Sequence, residues 1–180
     1  MLEQLIEIRC LTADDAPIYT DMLLQAVRDT PLAFGTPYED VARNPHLLEH
    51  ARRSLPLHHV RPVIGAFRGP NEMVGMVTLE RVQLTFMAHK ASVLALYVTP
   101  AARGQGVAMS LLEALLLAAS GMSGLEQLAV SVLTTNAAAL HLYKKLDFTP
   151  AYTEPHGLKH GDQYEAVTHL TRTLPHTNTP

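Results

Sequence analysis

Apolar and polar positions alternate over Ile6-Glu7-Ile8-Arg9-Cys10-Leu11, the period of a half-buried strand. Thr12 then precedes Ala13-Asp14-Asp15, a cap followed by acidic first-turn residues. That pattern predicts a helix to about Arg28, with Ile18, Met22 and either Leu23 or Val27 at helical spacing. Pro31, Gly35 and Pro37 make residues 30–38 an irregular loop. A second helical segment is expected from about Tyr38 to Arg53, interrupted or shifted by Pro45. Two apolar runs, Pro62 to Phe67 and Met73 to Val82, flank the turn residues Arg68-Gly69-Pro70-Asn71-Glu72 and predict an antiparallel hairpin. Ala91 to Val98 and Leu125 to Leu133 are apolar runs of the kind found in buried strands. Between them, Gly106 to about Ser120 sets Val107, Leu111, Leu115 and Ala118 on one helical face, and Ala137 to Lys145 predicts a further helix. Phe148 to Tyr152 and Tyr164 to Leu170 read as closing strands, with residues 155–162 as the loop between them. The order β-α-α-β-β-β-α-β-α-β-β predicts an α/β (α+β) mixed sheet with helices on both faces. One domain is expected over residues 1–174, followed by a loose tail from Pro175.

Composition narrows the partners. The chain has 180 residues, 47% of them hydrophobic and 17% charged, an ordinary balance for a folded domain. Its formal charge is −3, and no Lys/Arg-rich run of five or more appears, so the electrostatic footprint of a nucleic-acid binder is missing. An anionic ligand must then be held by local geometry. The single cysteine, Cys10, cannot form an internal disulfide, which favours a reducing compartment. Met1-Leu2-Glu3-Gln4 lacks the basic start of a signal peptide. The apolar stretch from Leu111 to Ala119 is broken by Glu113 and too short to span a bilayer. The expectation is a cytoplasmic protein without a membrane partner.

Candidate chemistry concentrates where the central apolar strand ends. Thr99 to Arg103 lead into Gly104-Gln105-Gly106-Val107-Ala108, and an amphipathic helix begins. Glycines let successive N–H groups turn toward one point, and the helix N-terminus adds partial positive charge, a cradle suited to a pyrophosphate. Arg103 can add a full charge beside it. A Walker-type loop would need Gly-Lys-Ser/Thr, and the chain has none. A dinucleotide fingerprint would need glycine at Met109 and no intervening Thr99–Arg103 segment. On the loop alone, a bare helix N-terminus with turn glycines is an equal reading.

A second block, Asn136-Ala137-Ala138-Ala139-Leu140-His141-Leu142-Tyr143-Lys144-Lys145-Leu146-Asp147-Phe148, follows the next apolar strand. Together the two blocks resemble the GNAT superfamily of N-acetyltransferases. Arg103, Gly106 and Ala108 match its Arg/Gln-x-x-Gly-x-Gly/Ala coenzyme A loop. Asn136, Ala139, Leu142, Tyr143 and Phe148 match its Asn-x-x-Ala-x-x-Leu-Tyr-x-x-x-Gly-Phe segment. The opening Arg-x-Leu-Thr-x-x-Asp, Arg9 to Asp15, also fits, and the likeness covers roughly residues 6–170. Asp147 stands where the family has glycine, a turn that often needs positive φ, which aspartate tolerates better than most residues.

The resemblance implies acetyl-CoA as co-substrate, no metal, and an amine-bearing acceptor, small molecule or peptide. It implies splayed parallel strands ending at Val98 and Leu133, with the pantetheine arm on Leu96, Tyr97 and Val98. The pyrophosphate would rest on Gly104, Gln105, Gly106, Val107 and Ala108, with Asn136 and Ala139 approaching from the other side. Tyr143 would protonate the departing thiolate. The branch of the superfamily that acetylates protein N-termini often carries a glutamate five residues before the asparagine, and Ser131 there cannot serve as a base. Glu80, late in the hairpin strand, is the first substitute, with a solvated strand-end glutamate as an equal reading. His89 is another candidate, and relatives also use ordered water. The 10 histidines invite a metal, but His156 and His160 lie among Pro155, Gly157 and Gly161 with no ligands to complete a set. Two alternatives stand beside the enzyme: a non-catalytic acyl-CoA sensor or scaffold, and a nucleotide-binding domain. The apolar last strand is suited to pairing across a homodimer.

Overall fold

A computed structural model of the chain describes residues 5–175. The leader expected to be absent at residues 1–4 and the loose tail, save Pro175 itself, lie outside the described residues. The alternating start forms strand β1, Ile6–Cys10. The Thr12 N–H donates to the Asp15 carboxylate at 2.8 Å, and a short 3₁₀ turn, Ala13–Asp15, leads into helix α1, Ala16–Asp29. Its buried residues include Tyr19, Met22, Ala26 and Val27, so the helical spacing read from sequence marks the packed face.

Residues 30–38 are more ordered than a loop. Pro31–Phe34 make one helical turn, α2, because proline at the first position fixes φ and Gly35 ends the turn with φ 64°. The second helical segment divides into α3, Tyr38–Ala42, and α4, Leu47–Ser54, on either side of Pro45. The hairpin forms β2, Val63–Arg68, and β3, Met73–Arg81. Then come β4, Lys90–Val98, α5, Val107–Ser120, β5, Gln127–Leu133, and α6, Ala137–Lys145.

The closing segment corrects the expectation of a loop over residues 155–162. Strand β6 runs Thr149–His160 and β7 Gln163–Thr173, joined by a tight turn. Proline and glycine fit inside β6 because it is an edge strand, and its register slips between Glu154 and Leu158. The missing N–H of Pro155 therefore breaks no ladder bond.

Among the described residues, seven strands form one mixed sheet in the order β1-β2-β3-β4-β5-β7-β6. Every neighbouring pair is antiparallel except β4 and β5. One apolar cluster joins the sheet to α5, with Leu111, Leu112, Leu115, Leu128 and Phe148 in it. A second cluster seals α1 and α4 against the opposite face through Leu11, Leu55, Phe67 and Met76. β4 and β5 pair only over Lys90–Ser92 and Gln127–Ala129, then part. A bulge follows within the parted stretch: two β4 residues, Ala95 and Leu96, lie between partners that β3 separates by one. Ala95 takes φ 53° there, a conformation alanine rarely holds without surrounding constraint.

Candidate active site

The parting of β4 and β5 leaves a cavity of about 420 Å³. Its walls are Ser92 to Leu96 on β4 and Ala129 to Leu133 on β5, with Tyr143 from α6. Leu32, Phe34 and Gly35, on and just after the helical turn α2, roof one side, and Glu154, Leu158 and His169 of the closing hairpin line another. The bulge at Ala95 turns the unpaired edge of β4 toward this space, because the chain beyond Ser92 has no partner on that side.

Tyr143 is 3% exposed. Its ring meets Phe148 edge-on at 5.3 Å, and burial raises its phenol above the ordinary range. Asn136 caps α6, its Oδ1 accepting from the Ala139 N–H at 3.1 Å, which leaves its amide NH₂ pointing away from the cap. Asp147 adopts φ 60°, as expected for the residue in the glycine position. Leu96, Asn136, Ala139 and Tyr143 all line the cavity.

The glycine turn lies beyond the end of β4. Gly104 and Gly106 take φ 74° and 79°, and a Cβ at either would meet nothing within 4 Å. Their glycine requirement is therefore conformational. The first intrahelical bond of α5 runs from Ser110 N–H to Gly106 C=O at 3.1 Å, so the N–H groups of Val107, Ala108 and Met109 have no partner within the helix. Gly106 provides no side-chain cap. Arg103 folds back, its Nε donating to the Val98 carbonyl at 3.0 Å, and Gln105 donates to the Ala101 carbonyl at 2.9 Å. Tyr97 points into the second apolar cluster. Its hydroxyl donates to the Asp29 carboxylate, and burial first, then Asp29, pushes the phenol up to about 12. Val98 is buried against α5.

Neither base candidate enters the wall. Glu80 is exposed on β3, directly across from Ser92, one strand behind the cavity. His89 sits just before β4, its carbonyl accepting from Glu126 and Gln127 N–H at 2.8 and 3.0 Å. The cavity holds instead Ser131 with two polar residues that sequence reasoning did not single out, His169 and Glu154. Ser131 Oγ stands 2.9 Å from His169 Nδ1, and His169 Nε2 stands 3.4 Å from Glu154 Oε2. Among the described residues, no group of three or more His, Cys, Asp or Glu could hold a metal ion, and no helix is long and apolar enough to cross a membrane.

Residues 23–148 match the family model described as the acetyltransferase (GNAT) family. No curated protein matches the chain. Among solved structures, a GNAT-family acetyltransferase from Streptococcus pneumoniae superposes with a TM-score of 0.85 at 19% identity, covering 95% of this chain and 100% of that one. The protein yncA of Salmonella typhimurium, solved with acetyl-CoA, gives 0.80 at 19% identity and covers 98% of both chains. A phosphinothricin acetyltransferase from Sinorhizobium meliloti, also with acetyl-CoA, gives 0.79 at 19% identity, over 97% of this chain and 92% of that one.

Proposed function

The chain belongs to the GNAT family of acetyltransferases, and from that membership we propose that it moves the acetyl group of acetyl-CoA to a primary amine of a small molecule or peptide by direct attack. The observation that carries the reading is the 420 Å³ cavity at the parting of β4 and β5, with Tyr143 in its wall. The residues present suit the coenzyme. Three unpartnered N–H groups at the start of α5 and the two left-handed glycines before it suit a pyrophosphate. The unpaired edge of β4 from Leu96 to Val98 offers amide groups to a pantetheine arm. Asn136 and Ala139 close the opposite wall. Solved relatives of this fold hold acetyl-CoA, which favours the same ligand here.

When bound, acetyl-CoA supplies an activated thioester. The chain's own residues do the rest. A β4 backbone N–H beside the bulge donates to the carbonyl oxygen as it gains negative charge. Tyr143 is protonated at neutral pH as an ordinary phenol is, and burial only raises its pKa further, so its hydroxyl is a standing donor to the departing sulfur. Complete transfer from a phenol so raised to a thiolate of ordinary pKa near 8.5 is uphill. Tyr143 therefore acts mainly as a hydrogen-bond donor, and the sulfur's proton derives from the attacking nitrogen. Arg103 has its Nε on Val98 and so fixes the strand end from which the turn departs. Glu80 pairs with the lining residue Ser92 and is not itself part of the wall.

Thermal unfolding with acetyl-CoA, against ATP and NAD⁺, tests the reading. Ligand at a hundred times its dissociation constant stabilises the native state by about 2.7 kcal/mol. For a domain this size that lifts the midpoint by roughly 5–10 °C. Thiol release is then followed with amino acids, an alkylamine, a polyamine and a peptide with a free N-terminus. A rise with acetyl-CoA alone and release with an amine support the enzyme. A rise without release from any acceptor would identify a binding module, and no rise at millimolar acetyl-CoA would end the proposal.

A further inference from the structure

Ser131 and His169 are direct cross-strand partners on β5 and β7, so their side chains share a face of the sheet. Both line the cavity, as does Glu154 on β6. The neighbouring polar ladder, Thr134–Thr168–Thr153 at 2.9 and 3.3 Å, contributes nothing to the cavity wall. Hydrogen-bond logic orients the first chain. A carboxylate only accepts, so Nε2 of His169 carries the proton and donates to Glu154 at 3.4 Å. Nδ1 is then an acceptor, and the Ser131 hydroxyl donates to it at 2.9 Å. Tyr152 of β6 stacks on the imidazole at 4.3 Å and holds its plane. The groups facing His169 are thus Ser131 from β5 and Glu154 and Tyr152 from β6. The basic nitrogen faces the serine hydroxyl, and both residues line the cavity.

We propose that Ser131, His169 and Glu154 form the proton relay that takes the first proton from the attacking amine. This rests on the acetyltransfer reading above. The acceptor's ammonium passes one proton to Ser131 Oγ, which hands its own to His169 Nδ1; Glu154 stabilises the imidazolium, and the proton leaves to water. The neutral nitrogen then bonds to the thioester carbonyl carbon as the carbon–sulfur bond breaks. Its second proton goes to the departing sulfur beside Tyr143. Amide, free thiol and one released proton balance the step. Serine alone cannot serve as a base near neutral pH, but a serine backed by an imidazole can conduct a proton. The long His169–Glu154 separation is of the kind that tightens only when substrate fills a site.

Two measurements test the relay. Nitrogen-15 NMR of the ligand-free protein should show the uncharged form of His169 carrying its proton on Nε2. A proton on Nδ1 would overturn the assignment, whatever the turnover. The second compares wild type with His169→Asn and Ser131→Ala, both checked for an unchanged unfolding midpoint and an unchanged acetyl-CoA shift. The probes are the amine turned over fastest in the panel above and hydroxylamine, a nucleophile largely uncharged at neutral pH. Each variant should lose roughly a hundredfold or more in kcat on the protonated amine, keep KM for acetyl-CoA, and lose little on hydroxylamine. Equal losses on both nucleophiles would mark a structural role and sink the relay alone. An acetyl adduct on Ser131 would overturn it in favour of an acyl-serine route. No acetyl-CoA shift in the wild type would remove the acetyltransfer reading and the relay with it.

Discussion

Asp15 ties the first strand to the first helix with a single carboxylate. Arg9 donates to its two oxygens at 2.8 and 2.7 Å, and the Thr12 N–H adds a third bond at 2.8 Å. These hydrogen bonds, those from Arg9 foremost, hold the Asp15 pKa down from 3.8 to about 2. A depressed carboxylate stabilises the fold fully above its unfolded value and loses that contribution as pH falls through the folded one. The shift corresponds to about 2.4 kcal/mol at ~1.36 kcal/mol per unit, and partial exposure of the pair (35% for Arg9) screens it to about 1–2 kcal/mol. Asp15→Asn should therefore lower unfolding free energy by about 1–2 kcal/mol at pH 7. The gap should close between about pH 4 and pH 2 in urea melts. A gap that persists at pH 2 would mean the loss is steric rather than electrostatic. The Thr12 cap and its acidic first turn were legible in the sequence, because they form one local pattern, whereas the Arg9–Asp15 pair came only with the fold. Ser131 and His169 were not legible as a pair, since they are 38 residues apart and meet only through strand register.

Among elements, the closing hairpin departs most from the sequence pattern. Pro155 and Gly157 read as loop residues, and their true setting depends on which strand lies at the sheet edge. Sequence does not show that β7 inserts between β5 and β6. Gly157 sits in the slipped register, where a Cβ would lie 2.6 Å from Val167 Cγ2 and 2.7 Å from its Cβ. Val167 is 7% exposed and forms part of the cavity wall, so it has little room to yield. Gly157→Ala should cost about 1–3 kcal/mol by overpacking and disturb the cavity. Gly69→Ala offers a comparison, with φ 72° but open space around its Cβ; its loss should be about 1–2 kcal/mol with acetyl-CoA binding intact. Chemical denaturation and the acetyl-CoA thermal shift, read on both variants, separate the two causes. Undisturbed binding in Gly157→Ala would show that Val167 gives way after all. The strand–turn–helix units were easier to read, because each keeps its own period: Val107, Leu111 and Leu115 are all buried, although Ala119 rather than Ala118 completes the face.

At the level of the whole molecule, the sheet is two halves joined by a short seam. β1 to β4 and β5, β7 and β6 meet only through Lys90–Ser92 and Gln127–Ala129, with the apolar cluster around α5 and Leu128 behind them. A seam of this length leaves amide groups on β4 from Val93 to Val98 without a β5 partner, beside the unpartnered N–H groups that open α5. Unpaired amides in contact with water exchange fast. A ligand that lies along the gap from the cavity to the glycine turn must cover both sets together. Hydrogen exchange with saturating acetyl-CoA should therefore slow in residues 93–98 and in residues 104–109 together. The β1–β2 pairing, far from the gap, should change only as far as global stability rises. Protection confined to residues 104–109, with ATP giving the same pattern, would mean that the turn binds phosphate without a coenzyme arm in the cavity. Protection of both segments by acetyl-CoA and not by ATP requires a ligand long enough to join them. The parting of β4 from β5 would then be the feature that selects coenzyme A over other nucleotides.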